Sequence, residues 1–105
     1  FLKNEDRLQK LSARPSEIVR RQFRAAPYPH EDTGWIVANA GEEVAMFSSD
    51  YPHVEGGRNP YKRFNDSLRN ASSREVERFY CENFIDLMGA GLAADLRRPA
   101  HLTAA

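Results

Sequence analysis

The chain has 105 residues, enough for one small domain. Fifteen basic and fifteen acidic residues cancel, so the charge footprint of a nucleic-acid binder is absent, and no apolar run approaches the ~20 residues that cross a bilayer. A hydrophobic fraction of 41% supports a modest core, and the single Cys81 precludes an internal disulfide and suits a reducing, cytoplasmic compartment.

Residues 2–11 read as a short helix with Leu8 and Leu11 three apart, broken by Ser12-Ala13-Arg14. Pro15 suits the first position of a second helix over 15–22, where its missing N–H is harmless. Ile18 and Val19 give that helix an apolar side. Arg20, Arg21 and Arg24 read either as an anion site or as the solvated face of a helix end, where cations suit the dipole. A strand is expected at 23–28, ended by Pro27 and Pro29. His30 and Glu31 follow it, placed either to line a site or to face solvent.

Asp32 or Thr33 can cap a third helix over 33–40, with Gly41 as its stop and Gly34 as a weak point. Five apolar or small residues at 44–48 then have the length of a strand buried on both faces. Strand, helix and strand in that order make a βαβ unit, which implies parallel strands with a right-handed crossover. Two strands make a poor parallel sheet, so the expectation is an α/β segment belonging to a larger fold, with one edge of 44–48 left open. The start at Phe1 rather than Met adds to the expectation of a segment from a longer chain.

Asp50 stands at the C-terminal end of the second expected strand, and Tyr51-Pro52 turns the chain immediately. His53, Glu55 and Arg58 follow on a loop loosened by Gly56 and Gly57. An acid delivered by a buried strand into a polar loop is how α/β folds present chemistry, and an Asp that merely starts a turn reads the same way locally. Asn59-Pro60 opens a helix over 60–69, with Tyr61, Phe64 and Leu68 on one face. Ser72 and Glu75 form a capping box for a last helix over 73–88. There Val76, Phe79, Tyr80, Asn83, Phe84, Leu87 and Met88 follow a helical period, and Gly89 closes it. Asn83 is the one polar residue on that face and is expected to bond a backbone group. Cys81 falls towards the other side, away from a nucleophile's role. Residues 1–89 are thus read as the structured part, and 90–105 as a tail or a strap on a neighbouring surface.

Three stretches carry a resemblance: Met46-Phe47-Ser48-Ser49-Asp50-Tyr51-Pro52-His53, then Glu55-Gly56-Gly57-Arg58-Asn59-Pro60, then Asn83-Phe84-Ile85-Asp86-Leu87-Met88-Gly89. Together with Pro15-Ser16-Glu17 and Arg24-Ala25-Ala26-Pro27-Tyr28, which resemble the approach to a seventh strand, they resemble, over about residues 12 to 89, the C-terminal end of the amidohydrolase-related proteins, the metal-dependent hydrolases and decarboxylases of the aminocarboxymuconate-semialdehyde decarboxylase type. The resemblance implies a fold class of α/β, the closing βαβα segment of a (β/α)8 TIM barrel. It implies Asp50 as catalytic residue and ligand of a divalent metal, usually zinc, exchanging a proton with the metal's water. It implies His53 and Arg58 as substrate-side residues, with Arg58 placed to hold a carboxylate by a bidentate pair.

The family's other ligands, a His-x-His on the first strand and histidines on middle strands, have no counterpart among His30, His53 and His101. A barrel of this kind needs roughly 200 residues or more, so this chain would be at most its last quarter and inactive alone. The expected function is therefore a C-terminal segment of a metal-dependent hydrolase or decarboxylase acting on a small, carboxylated substrate. The alternative is a non-catalytic, α-rich module that self-associates as a homo-oligomer or binds a protein partner, with Asp50 as a turn cap.

Overall fold

The computed structural model describes residues 6–97. Of the helix expected at 2–11, the part within this range is α1, Asp6–Gln9. Residues 98–105 of the expected tail, His101 included, lie outside it. The elements are helical: α2 (Pro15–Gln22), α3 (Thr33–Ala40), α4 (Pro60–Ser67), α5 (Ser73–Glu77), a π-helical segment (Arg78–Glu82) and α6 (Asn83–Met88), with single 3-10 turns at Val54–Gly56, Gly89–Gly91 and Ala94–Arg97.

The helix starts follow local chemistry. Pro15 and Pro60 sit in first turns, where no N–H is missed. Asp32 Oδ1 accepts the Trp35 N–H at 3.0 Å, and Asn59 Oδ1 accepts the Lys62 N–H at 3.0 Å. Ser72 and Glu75 cap reciprocally, with the Ser72 N–H donating to Glu75 Oε2 at 2.7 Å and the Glu75 N–H to Ser72 Oγ at 3.3 Å.

The βαβα segment of a TIM barrel is not what forms. Among the described residues there is no strand at 23–28 or 44–48, only a single parallel bridge between Ala25 and Ala45. The Ala25 N–H donates to Val44 O and the Met46 N–H to Ala25 O, each at 2.9 Å. Two local facts stop the ladder. Pro27 brings no N–H, and the Tyr28 N–H is taken by Glu31 Oε2 at 2.7 Å. On the far side of 44–47, the edge expected to stand open is bonded to the last helix. There Asn83 Nδ2 donates to Ala45 O at 2.8 Å, and the Phe47 N–H donates to Phe79 O at 2.8 Å. The run of apolar residues therefore reports burial correctly and strand pairing wrongly. Val44 and Ala45 are buried, but between one neighbouring segment and a helix.

The core gathers Val37 of α3, Ala45, Phe64 of α4, Leu68 and Phe79. Phe47 lies at its rim within an aromatic cluster, its ring centroid 5.2 Å from Tyr61, 5.7 Å from Phe64 and 5.4 Å from Tyr80. Gly34 is part of how α3 meets α4. A Cβ there would press on the Ser67 carbonyl oxygen, and the Gly34 N–H donates to Ser67 Oγ at 3.0 Å. The glycine that weakens α3 locally is what lets the two helices touch backbone to backbone.

The last helical run turns on the π segment. One extra residue in its turn rotates everything after it, so a 3.6-residue pattern projected from Ser73 fails beyond Glu82. Phe79 and Asn83 are buried as the pattern expects, but Phe84, Leu87 and Met88 are exposed, while Cys81 and Ile85 are half-buried. Asn83 is fully buried and has every polar atom engaged. Its Nδ2 also donates to Glu42 O at 2.7 Å, and its Oδ1 accepts from Arg78 Nη1 at 3.1 Å. The backbone partners expected for Asn83 are thus Glu42 and Ala45, and their bonds pin the segment that leads to Asp50.

Candidate functional site

The loop after residues 44–47 carries the sequence's candidate residues. Asp50 has φ +55, the left-handed region that a non-glycine residue seldom occupies. Local bonds hold it there: the Asp50 N–H donates to Ser48 Oγ at 3.2 Å, the Tyr51 N–H to Ser49 Oγ at 3.3 Å, and the His53 N–H to Asp50 O at 2.7 Å. The peptide bond between Tyr51 and Pro52 is cis. The 3-10 turn Val54–Gly56 then folds back, and buried Gly56 closes against Ser49 and Asp50. A Cβ on Gly56 would press on the Ser49 carbonyl oxygen and come within 3.2 Å of Asp50 Cβ. The loop is consequently a closed turn and not a loose one, with Gly56 required by contact and Gly57 by its φ of +70.

The side chains of Asp50, His53, Glu55 and Arg58 make no hydrogen bond or ion pair among the described residues. The fold brings His53 to Asp50 through the backbone alone. His53 and Arg58 are exposed, and Arg58 is not fixed in position by any such bond. Asp50 is half-buried, so of the three it is the one held by the fold.

His30, a secondary candidate, has a partner that sequence reasoning missed. Arg63 Nη1 lies 2.8 Å from His30 Nδ1, although the two are 33 positions apart. The signal that could have found it is weak: Arg63 lies on the outward side of a helix that starts right after the Asp50 loop. Among Arg20, Arg21 and Arg24, the reading as a solvated face fails for Arg24. Its side chain is 8% exposed, caps the end of α2 by donating to Arg20 O at 3.0 Å and Phe23 O at 2.8 Å, and pairs with Asp86. Arg20 donates to Ala40 O at 2.8 Å. Both arginines are thus structural links.

An apolar cavity of about 400 Å³ lies apart from Asp50, lined by Phe47, Tyr80, Cys81, Phe84, Ile85, Leu92 and Leu96. Leu92 and Leu96, from the described part of the segment after Gly89, line one part of it. Burial, then Glu77 and Glu82, push the Cys81 thiol up, which keeps it protonated and poorly nucleophilic. Burial also raises Tyr80 to about 12, and its hydroxyl donates to Asn65 Oδ1 at 2.7 Å.

No group of three or more His, Cys, Asp or Glu side chains converges to hold a metal ion among the described residues. A zinc centre takes about three protein ligands, so these residues do not make up a metal site. The expected zinc would take a single ligand, Asp50, from this chain. No helix among the described residues is long and apolar enough to cross a membrane. Compared with protein-family models, curated proteins and solved structures, the chain matches none, and the likeness to the amidohydrolase-related proteins rests on its motif residues alone.

Proposed function

We propose that the chain is the C-terminal part of a metal-dependent hydrolase or decarboxylase acting on a small, carboxylated substrate, and that its Asp50 loop supplies one corner of a composite site. The observation that carries this reading is Asp50 itself. Its backbone is held at φ +55, three backbone bonds and a close-packed glycine fix the turn around it, and its carboxylate has no partner among the described residues. Asp takes this left-handed conformation more readily than most residues, and the turn it makes leaves an acid unpaired on a loop, where binding and catalytic residues concentrate. In this reading Asp50 is one ligand of a divalent metal, and the remaining ligands come from residues outside this chain, a His-x-His upstream among them. The reading requires cytoplasmic expression of the longer polypeptide and no activity from the 105 residues alone.

The test is an assay of the natural-length polypeptide against small carboxylated esters, amides and β-keto acids, before and after chelation. Asp50→Asn is expected to lower turnover by more than about 100-fold, with the folded state unchanged. Turnover that survives both chelation and Asp50→Asn rules the reading out.

A second reading is favoured by α6, where Phe84, Leu87 and Met88 are 44%, 50% and 40% exposed. In it the chain is a non-catalytic module whose α6 face is covered by a second copy. Sedimentation equilibrium separates the two readings, since self-association indifferent to Asp50→Ala and to chelation belongs only to the second.

A further inference from the structure

We infer that His30 and Arg63 form a binding site for a small carboxylate, standing beside the Asp50 turn. The inference rests on the proposed reading for its substrate class and replaces Arg58 as the group that holds the substrate's carboxylate. The contact between Arg63 Nη1 and His30 Nδ1 is 2.8 Å. A guanidinium only donates, so Nδ1 is the acceptor and the imidazole is the tautomer with its proton on Nε2. The pair then presents donors only: the His30 Nε2–H and the four N–H groups of Arg63 not spent on His30.

No carboxylate among the described residues forms an ion pair with Arg63. Glu31, next to His30, accepts the Tyr28 N–H through Oε2 at 2.7 Å. Asp66, on the same helix, pairs with Lys62 at 2.6 Å. Glu55 is exposed and unpaired. The location follows from two consecutive glycines. A Cβ at Gly57 would lie 4.0 Å from Arg63 Nε, and a Cβ at Gly56 would lie 3.2 Å from Asp50 Cβ. Arg63 Nε therefore lies near Gly57, in the turn whose other glycine packs on Asp50. Arg58 lacks such support, since nothing among the described residues holds its side chain in place. A carboxylate matches the donor set because two parallel N–H groups of an arginine meet its two oxygens, and the His30 N–H can serve a remaining lone pair.

The experiment is a titration of the isotopically labelled natural-length polypeptide with sodium propionate in the presence of EDTA, read from the His30 ring and Arg63 Nε resonances, with sodium sulfate at matched ionic strength as the control. Saturable shifts of both resonances are expected with propionate. Arg63→Lys keeps the charge and loses the planar fork, and it should weaken propionate binding about tenfold, while Arg58→Gln stays within about twofold. Arg63→Gln should abolish saturation. A linear response, an equal response to sulfate, or saturation retained in Arg63→Gln overturns the assignment, as does a loss in Arg58→Gln as large as in Arg63→Lys. Because the titration is metal-free, saturable binding stands even if Asp50 ligates nothing. Failure to bind, in turn, leaves the role of Asp50 to its own assay.

Discussion

Asn83 ties the last helical run to the segment that leads to Asp50. It is fully buried and satisfies two main-chain carbonyls, Glu42 O and Ala45 O, on the segment that ends at Asp50. Leu is of similar size but leaves both carbonyls without a donor, so Asn83→Leu is expected to cost about 2–4 kcal/mol in chemical denaturation. A loss below about 1 kcal/mol would mean that water replaces the amide. Gly34 makes the same kind of claim by contact. Ala at this position meets the Ser67 carbonyl, which is backbone and cannot swing away, so Gly34→Ala should destabilise by about 1–3 kcal/mol despite Ala's better helix propensity. A stabilised variant would show that α3 and α4 are not in backbone contact.

At the scale of elements, the capping box of α5 has a pH signature. The Ser72 backbone N–H and then its hydroxyl hold the Glu75 carboxylate below its ordinary value. A depressed pKa means that this contribution is present above the unfolded carboxylate's pKa and is lost as pH falls through the lower, folded one. Amide exchange at the start of α5 should therefore accelerate as pH falls through the acid range, after correction for intrinsic rates. Ser72→Ala removes the hydroxyl but keeps the backbone N–H, so it should weaken that pH dependence and move Glu75 part of the way back towards the ordinary carboxylate range. A Glu75 titration unmoved by Ser72→Ala would refute the cap. These starts were legible in the sequence because a cap and its target are three residues apart. The Asn83 clamp was legible only in kind, as a buried amide seeking backbone, because its carbonyl partners lie 38 and 41 positions away. The π segment left no readable signal, and it is why Phe84 and Leu87 were wrongly placed on the buried face. The strands at 23–28 and 44–48 failed for a related reason. Five apolar residues in a row state that a segment is covered, and here the cover is Asn83 and Phe79, not another strand.

Across the whole molecule, a small core supports a large exposed apolar area. Phe64 and Phe79 are buried, while Trp35, Tyr51 and Val54 are 63%, 87% and 88% exposed. Tyr51 and Val54 flank His53 on the Asp50 loop, so the most exposed apolar groups stand where the composite site is proposed. Asp50 stands out as a candidate in the sequence because its setting is local to one loop, whereas the Arg63–His30 contact depends on two segments meeting in space. The central claim is that Asp50 ligates a metal together with residues outside this chain. The measurement that tests it most directly is the mass and metal content of the natural polypeptide, purified intact as wild type and as Asp50→Asn. The account predicts a chain longer than 105 residues that carries about one divalent ion, with occupancy falling at least about tenfold in Asp50→Asn. An intact mass equal to these 105 residues, or undiminished metal in Asp50→Asn, would contradict it.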